Sequence, residues 1–238
     1  MDHFWHLGAE DFFTGLEDER TAFLALARRR ELRKDDPVFA EGEPGRSCFY
    51  LERGLVRIFS QSRRGREPIF FLRRSGEIFG LAEVLDCQPR RAAAQALLPG
   101  VLHEVGKEAF ESFLASHPRA SQKIIRILGR RLRHLSEQVE GLASCDVDTR
   151  MARLLLTLSA DALAASARRN GPGGATGPAE PVEVPLRLTQ EQMAAMTGSC
   201  QQTVCQFLKK FQEEGLIDMR GRAIILLDTA ALLQRAGG

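Results

Sequence analysis

The feature that most constrains this chain is an apolar repeat, Ile125, Leu128, Leu132, Leu135, Val139 and Leu142, spaced by 3, 4, 3, 4 and 3 residues. Only an α-helix brings such positions onto one face, and this spacing is the a/d seam of a coiled coil over nearly three heptads. Pro118 suits the first turn of that helix, because a first-turn residue needs no amide hydrogen. A helix of about 25 residues is ~37 Å long, more than one small domain can cover. The seam therefore predicts a second copy of the same helix, and hence a homodimer. A helix packed only on its own domain is the rival reading.

The 238 residues suffice for two modest domains flanking such a helix. Hydrophobic residues at 44% and charged residues at 27% exclude a disordered or fibrous chain. A formal net charge of +2 announces neither nucleic acid nor membrane, so any such partner must come from local features. The cysteines are Cys48, Cys87, Cys145, Cys200 and Cys205, scattered and without a CxxC spacing. That pattern predicts neither a disulfide framework nor a zinc site and suits a reducing cytoplasm. The first residues, MDHFWHLGAEDFF, do not read as a signal peptide. No apolar run approaches membrane-spanning length, so no membrane partner is expected.

Before the seam helix, residues 1–34 read as amphipathic helix, with Leu16, Phe23 and Leu26 in register and Arg28-Arg29-Arg30 as a solvated helix end. From 35 to 107 the rhythm changes. Val38-Phe39, Cys48-Phe49-Tyr50-Leu51, Leu55-Val56-Arg57-Ile58-Phe59, Ile69-Phe70-Phe71-Leu72 and Ile78-Phe79 are separated by Gly, Pro and basic turns. Short strands at regular spacing predict a small β-barrel or sandwich. After the seam, Asp148 or Thr149 caps a helix from Met151 to about Ala167, and Asn170–Pro178 reads as a flexible Gly/Pro loop.

The carboxyl end holds the strongest motif, LTQEQMAAMTGSCQQTVCQFLKKFQEEGLI from Leu188 to Ile217. Thr189 caps a short helix that buries Met193, Ala194 and Met196. Gly198 makes the turn. Ser199 opens a second helix with Val204, Phe207, Leu208 and Phe211 inward, closed at Gly215. Two helices joined by such a turn form a helix-turn-helix, and Arg220–Leu227 reads as a hairpin wing. The second helix then presents Gln201, Gln202, Cys205, Gln206 and Lys209 outward. Glutamine carries donor and acceptor together and can bind adenine bidentately in a major groove. Thr203, Lys209, Lys210 and Arg222 are candidates for phosphate, which orients rather than reads. Residues 146–238 hold ten Lys/Arg and ten Asp/Glu, so a positive footprint must come from placement. A protein-contact module is the rival function. An enzyme is not expected, since HExxH, P-loop, GxSxG and GxGxxG motifs are missing.

The order of barrel, seam helix and winged helix, with VFAEGEPGRSCFYLERGLVRIF and SGEIFGLAEVLDCQPRRAAAQAL, resembles the CRP/FNR family of bacterial transcription regulators. The resemblance implies an α+β chain: a jelly-roll barrel of the cyclic-nucleotide-binding type (1–117), a dimerisation helix (118–145) and a winged helix-turn-helix (146–238). It implies palindromic promoter DNA and RNA polymerase as partners, and an effector site in the barrel against the long helix. By that resemblance Gly80 and Arg91 match ligand-binding positions of the cyclic-AMP-binding members. Leu81, Ala92 and Leu135 replace a Glu, a Ser and a Thr. A site that has lost those polar partners leaves a nucleotide's polar atoms unpaired, which argues against cyclic AMP.

No cysteine precedes Cys48, which argues against the iron–sulfur centre of the oxygen-sensing branch. What remains is an apolar pocket of Phe70, Leu72, Phe79, Leu81, Leu128 and Leu135, suited to haem or a hydrophobic small molecule. The layout is most similar to nitric-oxide-responsive members, and that resemblance implies haem, with His3, His6, His103 and His134 as candidate axial ligands.

Overall fold

A computed structural model describes residues 11–60, 67–170, 181–185, 188–221 and 223–237. The chain divides into two compact units, Ala9–Leu132 and Arg133–Gly238, and the division falls inside the long helix.

The first unit is built on an antiparallel sheet. Its strands are β1 (Arg28–Leu32), β2 (Pro37–Phe39), β3 (Ser47–Phe59), β4 (Ile69–Arg74), β5 (Glu77–Phe79) and β6 (Ala93–Gly106). The order is β1-β6-β3-β4, with β2 paired to β6 and β5 to β3. This is a jelly-roll-type sheet whose described pairings do not close into a ring. The long strands β3 and β6 bend together where their register shifts, between Leu51 and Val56. Gly54 (φ 117°) and Gly100 meet at that bend, and a Cβ on Gly100 would lie 2.0 Å from the Arg53 carbonyl oxygen. Only glycine permits so close an approach of two backbones.

The sheet separates two buried clusters. One holds Phe39, Phe49, Leu51, Val56, Phe79 and Leu102. The other packs Tyr50, Ile78, Leu81 and Val105 against the helices α1 (Glu17–Leu26), α2 (Leu81–Asp86) and α3 (Lys107–Ser116) and the start of α4 (Pro118–Ser144). Phe23 is its hub, with ring centroids 5.4 Å from Phe13 and 5.5 Å from Phe113. Asp11 ties the amino-terminal segment down by accepting from the Tyr50 hydroxyl at 2.6 Å.

Residues 28–32 correct the sequence reading. They form strand β1, not a helix end. Arg28 pairs with Glu104 at 2.6 Å across the β1–β6 ladder, and Leu32 turns into the core. A charged run carries no strand pattern of its own, and the long-range ladder overrides local propensity.

The second unit holds α5 (Val147–Asn170), β7 (Val182–Glu183), α6 (Gln190–Thr197), α7 (Gln201–Glu213), β8 (Ile217–Arg220), β9 (Ala223–Leu226) and α8 (Thr229–Arg235). Its three-stranded sheet has the order β7-β9-β8, and Gly221 (φ 64°) turns the β8–β9 hairpin. Met151, Leu155, Val204, Leu208, Phe211 and Leu226 fill the core. The cap of α5 is Asp146, whose Oδ1 accepts from the Thr149 amide at 2.8 Å. Asp148, read from sequence as a candidate cap, instead pairs with Lys210 and Arg235. Most of the Gly/Pro loop lies outside the described residues.

Candidate nucleic-acid interface and sensor region

Helix α6 opens on a full capping box. The Thr189 hydroxyl accepts from the Gln192 amide, and the Gln192 side chain accepts from the Thr189 amide at 2.9 Å. Two orphan donors of the first turn are thus satisfied. The helix stops at Gly198, in the left-handed region that glycine enters without strain. The turn is Gly198-Ser199-Cys200. Ser199 therefore lies in the turn, not at the start of the second helix: its amide donates to the Ala194 carbonyl and its hydroxyl meets that of Thr197 at 2.8 Å. Met196 is only half-buried, and Thr197 fills the place read for it.

Helix α7 sorts its residues as a groove-binding helix must. Val204, Leu208 and Phe211 are buried. Gln201, Gln202, Cys205, Gln206 and Lys209 are exposed, and Phe207 is half-buried. The phosphate candidates divide. Lys209 is exposed and 3.6 Å from Glu213. Lys210 is drawn back onto Asp148 at 3.3 Å and over the Phe207 ring. Thr203 is half-buried beside the Cys200 sulfur at 3.0 Å, and its hydroxyl and nearby amides hold that thiol below its ordinary pKa. Arg222 lies outside the described residues. Arg150 braces the motif by donating to the Thr197 carbonyl at 2.8 Å.

On α4 the seam divides from the inner stripe. Ala120 and Ile124 are buried against the sensor core, and Ile127 and Leu128 pack on it. Ile125 is 68% exposed, Leu132 66%, Leu135 38% and Val139 66%. The side chains of Leu142 and His134 are outside the described set.

Of the apolar pocket read from sequence, Phe79 and Leu81 do not come together. Phe79 and Leu81 are 1% and 2% exposed and belong to opposite clusters, one on each side of the sheet. Phe70 is 41% exposed and Leu72 is half-buried. Strand β5 ends at Phe79, and Gly80 in the left-handed region turns the chain into α2 before Leu81, so the two side chains part although their spacing along an unbroken strand would put them on one face. Gly80 caps α2 in the left-handed region.

Arg91 is exposed, and the arginine bonded to the Gly80 carbonyl is Arg90. Arg90 donates to the carbonyls of Gly80 (3.0 Å) and Ser47, pairs with Glu83 at 3.3 Å, and lies over the Phe39 ring. Sequence reading also missed Arg73 and Arg131. A signal for Arg131 was available: it continues the inward stripe Ala120, Ile124, Ile127 at helical spacing.

A sensor sheet ahead of a winged helix-turn-helix with an exposed polar helix face defines a DNA-binding regulator. The cyclic nucleotide-binding domain family matches residues 29–117, and the Crp-like helix-turn-helix domain family matches residues 149–235. The CRP-like cAMP-activated global transcriptional regulator of Mycobacterium tuberculosis is 30% identical over 97% of this chain and 98% of its own. The transcriptional activator protein anr of Pseudomonas aeruginosa is 26% identical over 94% and 86%. Among solved structures, the c-di-GMP responsive global regulator CLP of Xanthomonas campestris matches with TM-score 0.74 and 25% identity, over 90% of this chain and all of that one. The chain belongs to the CRP/FNR family of DNA-binding transcription regulators. Among the described residues, no helix is long and apolar enough to cross a membrane.

Proposed function

We propose that the protein is a homodimeric regulator, not an enzyme, that binds a two-fold-symmetric promoter site, acts with RNA polymerase and answers to an effector other than cyclic AMP. One observation carries the dimer: α4 buries Ala120 and Ile124 against its own sheet and leaves Ile125, Leu132, Leu135 and Val139 in the open. An apolar stripe of that length on the far face fits a second copy. The exposed Gln201, Gln202 and Gln206 would meet base edges. A symmetric footprint on promoter DNA tests the reading. Gln202→Ala is expected to weaken that site by about 1–3 kcal/mol while barely changing non-specific binding. Wild-type affinity should fall steeply with salt. An asymmetric or salt-insensitive footprint would overturn the reading in favour of a protein-contact module.

The exclusion of cyclic AMP is supported by Leu81, which is apolar and buried where the resemblance places a ligand-binding carboxylate. The relative named for cyclic AMP is 30% identical, and another is named for c-di-GMP, so effectors vary among similar chains.

Haem-based sensing of nitric oxide is the finer reading. Of its four candidate ligands, His103 is the one whose side chain is described. His103 is buried with its Nε2 2.6 Å from Glu52, whose carboxyl that bond holds below its usual pKa. The other candidates, His3, His6 and His134, have side chains outside the described set. A Soret band after reconstitution, lost when those three are replaced by alanine, is the expected result. A titration without spectral change removes haem and leaves a small-molecule effector.

A further inference from the structure

Arg73 on β4, Glu77 on β5 and Arg131 on α4 form a cluster of two guanidinium groups around one carboxylate. Arg73 Nη1 is 3.2 Å from Glu77 Oε2, and Arg131 Nη2 is 3.7 Å from the same oxygen. Arg131 Nη2 also donates to the Ile78 carbonyl at 2.5 Å. Arg73 is 9% exposed and lies over the Phe71 ring at 4.7 Å, and its Nε has no hydrogen-bond partner among the described residues. Burial presses the pKa of Arg131 down, and the charge of Arg73 adds to that pressure. Glu77 offsets only part of it. Among the described residues one positive charge is thus left without an opposite in a place largely removed from water, an arrangement that is costly unless a further acceptor arrives.

We propose that Arg73 and Arg131 form an oxyanion subsite of the effector site, so that the effector carries a phosphate or carboxylate group. This deepens the reading above, in which the sensor takes a small molecule other than cyclic AMP, and gives that molecule a charge. The acceptor would take the unpaired Arg73 Nε hydrogen and the remaining guanidinium hydrogens, which suit planar or tetrahedral oxyanions. The site also offers a route for the signal. Arg131 stands on the inner stripe of α4, one residue before the exposed Leu132 of the seam. An anion bridging Arg73 and Arg131 would hold that turn of α4 to β4, beside β5.

The test is calorimetric titration of the full-length protein with inorganic phosphate and, separately, with citrate, at constant ionic strength. Saturable binding of at least one is expected at one per chain, and the tighter arm identifies the oxyanion. Arg73→Gln and Arg131→Gln are each expected to weaken it on the order of tenfold or more, and Arg29→Gln, at an exposed position on β1, to leave it unchanged. In chloride buffer free of phosphate and carboxylates, Arg131→Gln should melt no lower than the wild type, because it removes a surplus charge; loss of a purely structural arginine would lower the melting temperature. Absence of saturable binding in the wild type, or binding kept by both variants, overturns the proposal. So does dissociation of Arg131→Gln into monomers, which would assign the missing acceptor to a second copy. Promoter protection by the wild type is read separately, and its loss overturns the regulator reading without touching this titration.

Discussion

Leu132→Glu combined with Val139→Glu will yield a monomer in sedimentation equilibrium and abolish protection of a two-fold promoter site. Both side chains are 66% exposed on α4 in the single chain. Covered by a second copy, the pair contributes four side chains to one contact. At ~1.5–3 kcal/mol for each fully buried side chain, the loss is on the order of 6 kcal/mol or more. That corresponds to about four decades in dimer affinity, before repulsion between the new carboxylates is added. The inner stripe of Ala120, Ile124 and Ile127 is untouched, so the sensor unit should keep its melting temperature. A double variant that stays dimeric would show that the seam is not the interface.

Phe211→Ala will unfold the winged unit while the sensor unit stays folded. Phe211 is wholly buried in α7, with its ring 6.5 Å from that of Phe207 and the Arg235 guanidinium 5.3 Å from its centroid. Removing a buried phenyl ring costs about 3–5 kcal/mol, a large part of the ~5–15 kcal/mol that holds a domain together. Calorimetry is expected to show the transition of Arg133–Gly238 lowered or lost and that of Ala9–Leu132 retained. DNA binding should vanish with the first. A single transition shifted as one would mean that the two units do not melt independently.

The long helix was legible because its signal is periodic and local: Pro118 and the 3,4 spacing fix it without reference to anything distant. The helix-turn-helix was legible for the same reason, through Thr189, Gly198 and the apolar positions of α7. Its fine detail was not. Whether the second helix begins at Ser199 or Gln201 depends on which amide reaches the Ala194 carbonyl, and sequence does not print that.

Strand β1 was missed because Arg28–Glu31 owes its form to a ladder with residues at least seventy positions away. The sensor region was the least legible part. Phe79 and Leu81 look like neighbours, yet the end of β5 sends them to different cores. Arg90 and Arg91 are indistinguishable as letters, and only the fold decides which one turns toward Gly80. Arg73 and Arg131 meet through a pairing of strand and helix that no short window contains.

The crossing of β3 and β6 at Gly54 and Gly100 has a further bearing on how this architecture can vary. Elsewhere in the sheet, a bulky residue can be traded for a small one if its neighbour grows to compensate. Here main chain rests on main chain, and the spacing is set by atoms that every amino acid shares. The crossing is therefore a fixed datum in an otherwise adjustable sheet, and lineages that reshape the sensor for new ligands must do so around it.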